Sequence, residues 1–220
     1  MGRGAAPRCR TLGSLTAQTA SAPYRENPLG DYYDPHPLLQ LRQPVVLAGV
    51  PGARHRQVAH AAAARTGISF ADLDRWIEHE AGASLWDLVA ARGEAALREI
   101  EARLLERALR TAPPSIIALG DTTLLEQANR ERIDESATLV HVHLDLAGAY
   151  WQIRRHEETH GRGWSPFVPS PVEDIAELRP LFQRLEPVLA GARLRLEAAG
   201  RHPSELATEL IEHLRADHNL

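Results

Sequence analysis

From about residue 44 onward, short apolar runs alternate with longer stretches whose apolar residues recur every three or four positions. The runs 44–48, 68–71, 115–119, 138–144 and 193–197 have the length and buried character of strands. The stretches 55–66, 73–81, 84–91, 94–110, 123–132, 147–158, 172–184 and 204–216 read as helices. Within 94–110, Leu97, Ile100, Leu104 and Ala108 form one apolar stripe at helical spacing. The Ala-rich helix 55–66 meets Gly67, a residue suited to the left-handed position after a helix end. Strand–helix alternation predicts a doubly wound, parallel, five-stranded α/β sheet with helices on both faces. Gly161, Gly163, Pro166, Pro169 and Pro171 predict a mobile loop over 159–171. No internal repeat is visible.

Residues 1–43 break this rhythm and read as an irregular N-terminal extension ahead of a domain spanning 44–220. Arg3, Arg8, Arg10 and Arg25 precede the first acid, Glu26, so the leader resembles an organelle transit peptide. The competing reading is a disordered or loosely docked tail, or a misplaced start codon, with Tyr32, Tyr33, Leu38, Leu39 and Leu41 able to pin the end of the segment to the domain.

Composition narrows the class. The chain has 220 residues, ample for a buried core, and a formal net charge of -4, which gives no reason to expect a nucleic-acid surface. Cys9 is its one cysteine, so no internal disulfide can form and a cytoplasmic setting is expected. No apolar run reaches the ~20 residues of a membrane span. All 25 Lys+Arg residues are arginine, a habit of GC-rich genomes.

The absence of lysine matters at one place. The strand 44–48 leads into Gly49-Val50-Pro51-Gly52-Ala53-Arg54-His55-Arg56 and then a helix. The phosphate-cradling pattern G-x-x-x-x-G-K-[ST] can be laid over it from Gly49. Gly49 supplies the first glycine and Gly52 lies inside the loop, but Arg54 replaces the second glycine, His55 the lysine and Arg56 the hydroxyl residue.

Four further segments give this scaffold an ancestry. They are Phe70-Ala71-Asp72-Leu73-Asp74-Arg75-Trp76-Ile77-Glu78, Gly93-Glu94-Ala95-Ala96-Leu97-Arg98-Glu99-Ile100-Glu101, Ser115-Ile116-Ile117-Ala118-Leu119-Gly120, and Glu186-Pro187 ahead of the last strand. Together they resemble shikimate kinase and, more closely, the shikimate-kinase-like ligand domain of certain aromatic-degradation regulators. The resemblance covers roughly 44–216 and implies a three-layer P-loop kinase fold with a lid at about 154–171.

In such kinases the loop holds ATP phosphates, with magnesium on its hydroxyl. Carried across, Asp74 would face the acceptor hydroxyl as the catalytic residue, and Asp72 would hold magnesium through water. Arg98 would clamp the substrate carboxylate, with Gly120 and Arg184 completing the substrate site and Arg162 standing in for the lid arginine. ATP and magnesium are expected only if the altered loop still accepts nucleotide.

The departures are several. The triple glycine is Gly120-Asp121-Thr122, placing an acid against the substrate carboxylate. The lid Arg-Pro is Ser165-Pro166, the late arginine falls on Leu185, and the aromatic after Pro187 is Leu189. Each preorganised donor lost costs about 10²–10³ in rate, so these losses together predict negligible turnover. The leading expectation is a non-catalytic relative acting through a small anionic ligand or a protein partner, without nucleic acid or membrane. The alternatives are an active shikimate kinase and the ligand-sensing domain of a regulator.

Positive charge at a helix start opposes the helix dipole, so Arg54-His55-Arg56 calls for compensation, either by an internal acid, for which Asp72 and Asp121 are the candidates, or by an anionic ligand bound differently from ATP. Without the resemblance, Asp74 would read as a first-turn acid and Arg98 as a partner of Glu94 or Glu101 on its own helix. His156-Glu157-Glu158-Thr159-His160 matches H-E-x-x-H, but the position of the next ligand is Pro166, so no zinc site is expected. His141 and His143 share one strand face and read as packed or surface histidines. Trp76 is expected near the substrate pocket and Trp164 in the lid.

Overall fold

The computed structural model describes Met1, residues 40–161 and residues 163–217. Tyr32, Tyr33, Leu38, Leu39 and Arg162 lie outside the described residues. The element order is β1 (Val45–Ala48), α1 (His55–Thr66), β2 (Phe70–Asp72), α2 (Leu73–Ala81), α3 (Leu85–Leu109), β3 (Ile116–Ala118), α4 (Gln127–Ser136), β4 (Thr138–His143), α5 (Leu146–His160), α6 (Arg179–Leu189), β5 (Leu194–Glu197) and α7 (Pro203–Ala216). The strands form one parallel sheet in the order β2-β3-β1-β4-β5. Val45, Val46, Leu47, Ile116 and Ile117 are fully buried at its centre, as a sheet covered on both faces requires. Helix α1 packs on α7, and α2 on α3.

Two expected helices are redrawn. The region 172–184 holds a 3₁₀ turn, Ile175–Leu178, and then α6, which continues to Leu189. Asp174 starts the turn with a reciprocal cap to Glu177, and Pro180 opens α6. The region 123–132 likewise begins as a 3₁₀ turn, Thr123–Leu125, before α4 starts at Gln127. The expected break between 84–91 and 94–110 falls at Gly93, whose φ of 79° and ψ of 169° interrupt α3.

The start of the domain is anchored by Leu41, which is buried, and by Gln43, whose Nε2 donates to Thr138 Oγ1 at 2.6 Å. Among the described residues no helix is long and apolar enough to cross a membrane. The carboxyl ends of β1, β2 and β3 bring Gly49, Asp72 and Gly120 to one edge, the edge where parallel α/β sheets hold ligands.

Candidate functional site

The turn between β1 and α1 is built by close packing. A Cβ at Gly49 would sit 2.6 Å from the Val142 carbonyl, so only glycine fits there. Gly52 takes φ 88° and Arg54 φ 59°, both left-handed. Arg54 is the one non-glycine residue with positive φ among the described residues. The loop has kept the backbone that the second glycine would serve, at a cost of about 1–2 kcal/mol for a side chain in that conformation.

His55 is turned inward and 4% exposed. Its Nε2 lies 2.9 Å from the Leu119 carbonyl, which can only accept, so Nε2 carries the proton. In the neutral ring Nδ1 is then a lone-pair acceptor; it has no hydrogen-bond partner and faces Gly49. Burial lowers the His55 pKa, against the pull of Asp121 and the Leu119 carbonyl.

Arg56 crosses from α1 to α2. Its Nη2 donates to Asp74 Oδ2, and its Nε stands 3.3 Å from Asp72 Oδ2. Burial works against the charge, but Asp74, Asp72 and Asp121 outweigh it and raise the Arg56 pKa. Burial also pushes the Asp74 carboxyl up to about 7; Arg56 opposes the rise, and Asp121, Asp72 and Glu101 add to it. Asp72 caps α2 through the Arg75 amide at 3.3 Å. The acid that compensates Arg56 is therefore Asp72 together with Asp74, which spacing alone does not suggest. Arg54 instead donates to the Arg201 carbonyl at 3.1 Å.

The neighbouring side chains at the same sheet edge are engaged within the protein. Arg98 donates to Glu101 and Glu94, each at 2.8 Å, and to Thr122 Oγ1 at 2.7 Å. The Phe167 ring lies 4.9 Å from its guanidinium carbon. Glu101 is buried and accepts from Thr123 at 2.6 Å; burial raises its pKa against Arg98. A Cβ at Gly120 would stand 2.5 Å from Asp74 Oδ1, so a side chain there would push the Asp74 carboxylate aside. Asp121 accepts from Trp164 Nε1 at 2.9 Å and from the Ser165 hydroxyl, while burial raises its pKa. Between Asp74, Leu97, Glu101, Asp121 and Phe167 only about 10 Å³ remains, room for at most one water.

The remaining expected residues scatter. Leu185 is in the core, whereas Arg184 is exposed and shares a 280 Å³ cavity with Arg98. Trp76 packs under Arg107, 5.7 Å from its guanidinium carbon, away from the cleft that Trp86 and Trp164 line. His156 and His160 stack at 4.2 Å with an interplanar angle of 25°, a side-by-side arrangement rather than a convergent one. Among the described residues no group of three or more His, Cys, Asp or Glu side chains is arranged to hold a metal ion. His141 is buried and His143 half-buried; burial, then His143, lowers the His141 pKa to about 4. Sequence reasoning missed Phe167 and Thr122 as partners of Arg98. Both reach it through tertiary contacts that no local motif encodes.

A sequence model of the family described as Shikimate kinase matches residues 51–215. The chain is 31% identical over 182 residues to the shikimate kinase of Paramagnetospirillum magneticum, covering 81% of this chain and 88% of that protein. It is 32% identical over 154 residues to the shikimate kinase of Ruegeria pomeroyi, covering 70% and 75%. Among solved structures, shikimate kinase from Acinetobacter baumannii in complex with shikimate aligns with a TM-score of 0.70 at 19% identity, covering 80% of this chain and 95% of that one. The enzyme from Aquifex aeolicus aligns with a TM-score of 0.64 at 17% identity, covering 80% and 98%. Family model, relatives and fold agree: the chain belongs to the shikimate kinase family.

Proposed function

We propose that this chain is a member of the shikimate kinase family that has given up phosphoryl transfer and acts by binding, either of a small anionic ligand or of a partner protein. The observation that carries the reading is the Arg56 guanidinium set across Asp72 and Asp74. In a kinase of this family those carboxylates serve magnesium and the acceptor hydroxyl. Here a fixed internal cation takes up both.

Magnesium and ATP do not fit the residues present. Magnesium needs oxygen ligands in octahedral array, and a guanidinium beside Asp72 repels a dication. The loop offers ATP no lysine, because His55 is buried with its proton committed to Leu119. The gap between Asp74, Glu101 and Asp121 holds about 10 Å³, too little for a shikimate ring, and burial raises the pKa of all three acids; Asp74 and Asp121 also line the open cleft of about 440 Å³, where Arg56 and Arg75 stand beside them. No phosphoryl-transfer step is derived through this site.

The test is a calorimetric titration of the purified protein with Mg-ATP. A flat titration is expected. Saturable binding at sub-millimolar concentration would show that the loop still cradles phosphates and would overturn the reading.

A further inference from the structure

The sheet ends at β5, which pairs with β4 on one side and, among the described residues, with no strand on the other. The Thr138 amide donates to the Pro44 carbonyl beside β1, so strand alternation turns the backbone groups of Leu139, His141 and His143 toward β5. The Ala198 amide accordingly donates to the His143 carbonyl at 2.8 Å. In that ladder Leu194 and Leu196 face β4, and the N–H and C=O groups of Arg195 and Glu197 point out from the edge. Arg201 Nη1 donates to the Glu197 carbonyl at 3.3 Å, which leaves that oxygen a second lone pair. Among the described residues the other outward groups make no hydrogen bond.

An open edge is a template for a further strand, and a row of like charges is one way to guard it. The charges on β5 do not guard it against a second copy of itself. Arg195 and Glu197 are 55% and 58% exposed, lie two positions apart on one face of the strand, and pair with each other at 2.7 Å. When a second β5 is laid antiparallel about a two-fold axis at Leu196, Arg195 stands opposite the partner's Glu197, and Glu197 opposite the partner's Arg195. Both opposed pairs then exchange N–H and C=O groups as well as charge. Moving the axis to Arg195 sets that arginine against itself, and like charges directly opposite disfavour that register. Arg193, the next charge along the edge, is already held by Asp217 at 3.0 Å.

We propose that β5 is the docking edge for a second copy of this chain, joined about a two-fold axis into one continuous sheet with Arg195 and Glu197 paired across it. One patch meets itself, as a closed two-fold interface requires. Strand addition at an edge gains its affinity from main-chain hydrogen bonds and its register from the side chains beside them. Arg195 and Glu197 line neither the phosphate-loop clefts nor the gap beside Asp74, so the inference goes beyond the reading above and holds whether or not phosphoryl transfer is retained.

The experiment is analytical ultracentrifugation of the full chain over a concentration series. The wild type should sediment as a dimer that dissociates on dilution. Arg195→Glu and Glu197→Arg each place like charges across the axis, and each should weaken self-association about tenfold or more. Both positions are exposed, so the variants should keep the circular dichroism of the wild type. Mixing the two variants sets acids against arginines again and should restore the dimer as a heterodimer. A wild type that is monomeric at every concentration, single variants that dimerise as the wild type does, or a mixture of folded variants that stays monomeric would overturn the inference.

Discussion

Arg56 of α1 and Asp74 of α2 form a hydrogen-bonded ion pair at the floor of the cleft, with Asp72 3.3 Å from the same guanidinium. Removing the charge with Arg56→Met leaves two acids facing each other beside Asp121. Breaking a buried pair costs about 3–5 kcal/mol, and solvent access lowers that. Arg56 is 41% exposed, so the expected loss is about 1–3 kcal/mol by urea unfolding. Adding Asp74→Asn should recover part of it. A loss below about 0.5 kcal/mol would mean that water screens the pair.

Half-buried Asp74 and buried His141 should tilt the stability of the protein in opposite directions with pH. Asp74 has its folded pKa raised to about 7, so it holds a proton that the unfolded chain releases near 4. Its contribution is present at low pH and is lost as pH rises through about 7. His141 has its folded pKa lowered to about 4, so its contribution is present above about 6.5 and is lost as pH falls toward 4. Asp74→Asn should therefore reduce the fall in stability between pH 5 and 8, and His141→Leu should reduce the fall between pH 6.5 and 4. Unfolding measured across that range checks both. An unchanged slope in either variant removes that group from the explanation.

Arg54 holds a left-handed conformation in which a Cβ is costly. Arg54→Gly and Arg54→Ala both lose the bond to the Arg201 carbonyl, but only glycine relieves the backbone. The glycine variant should be more stable than the alanine variant by about 1 kcal/mol, the reverse of their order in an ordinary helix. Thermal unfolding of the pair measures this directly. Equal stabilities would show that the loop relaxes out of that conformation.

Much of the architecture was legible because it rests on local signals. Apolar runs of strand length marked five strands, and Gly93 marked the break in α3. The α6 boundaries were not legible, since Pro169, Pro171 and Pro180 blur where a helix can begin, and Pro187 sits inside the element. At the site, the replaced residues Arg54, His55 and Arg56 were plain from the motif. Their partners were not: His55 meets Leu119 across 64 positions, and Trp164 meets Asp121 across 43. Such pairings follow from strand order and lid docking, which no local window contains.

The Trp164–Asp121 bond ties the lid segment to the end of β3. Trp164→Phe keeps an aromatic ring and removes the donor, leaving a half-buried carboxylate short of a partner. The expected cost is about 1–3 kcal/mol, together with faster proteolysis within 161–172. Unaltered cleavage there would show that Phe167 and Val168 hold the segment without this bond.

The measurement that bears most directly on the account is shikimate-dependent ADP release by the wild-type protein with Mg-ATP. With Arg56 committed to Asp72 and Asp74, no release above a protein-free control is predicted. Turnover in the ordinary kinase range, about 1–100 s⁻¹, would contradict it and make this chain an active shikimate kinase with an unusual phosphate loop.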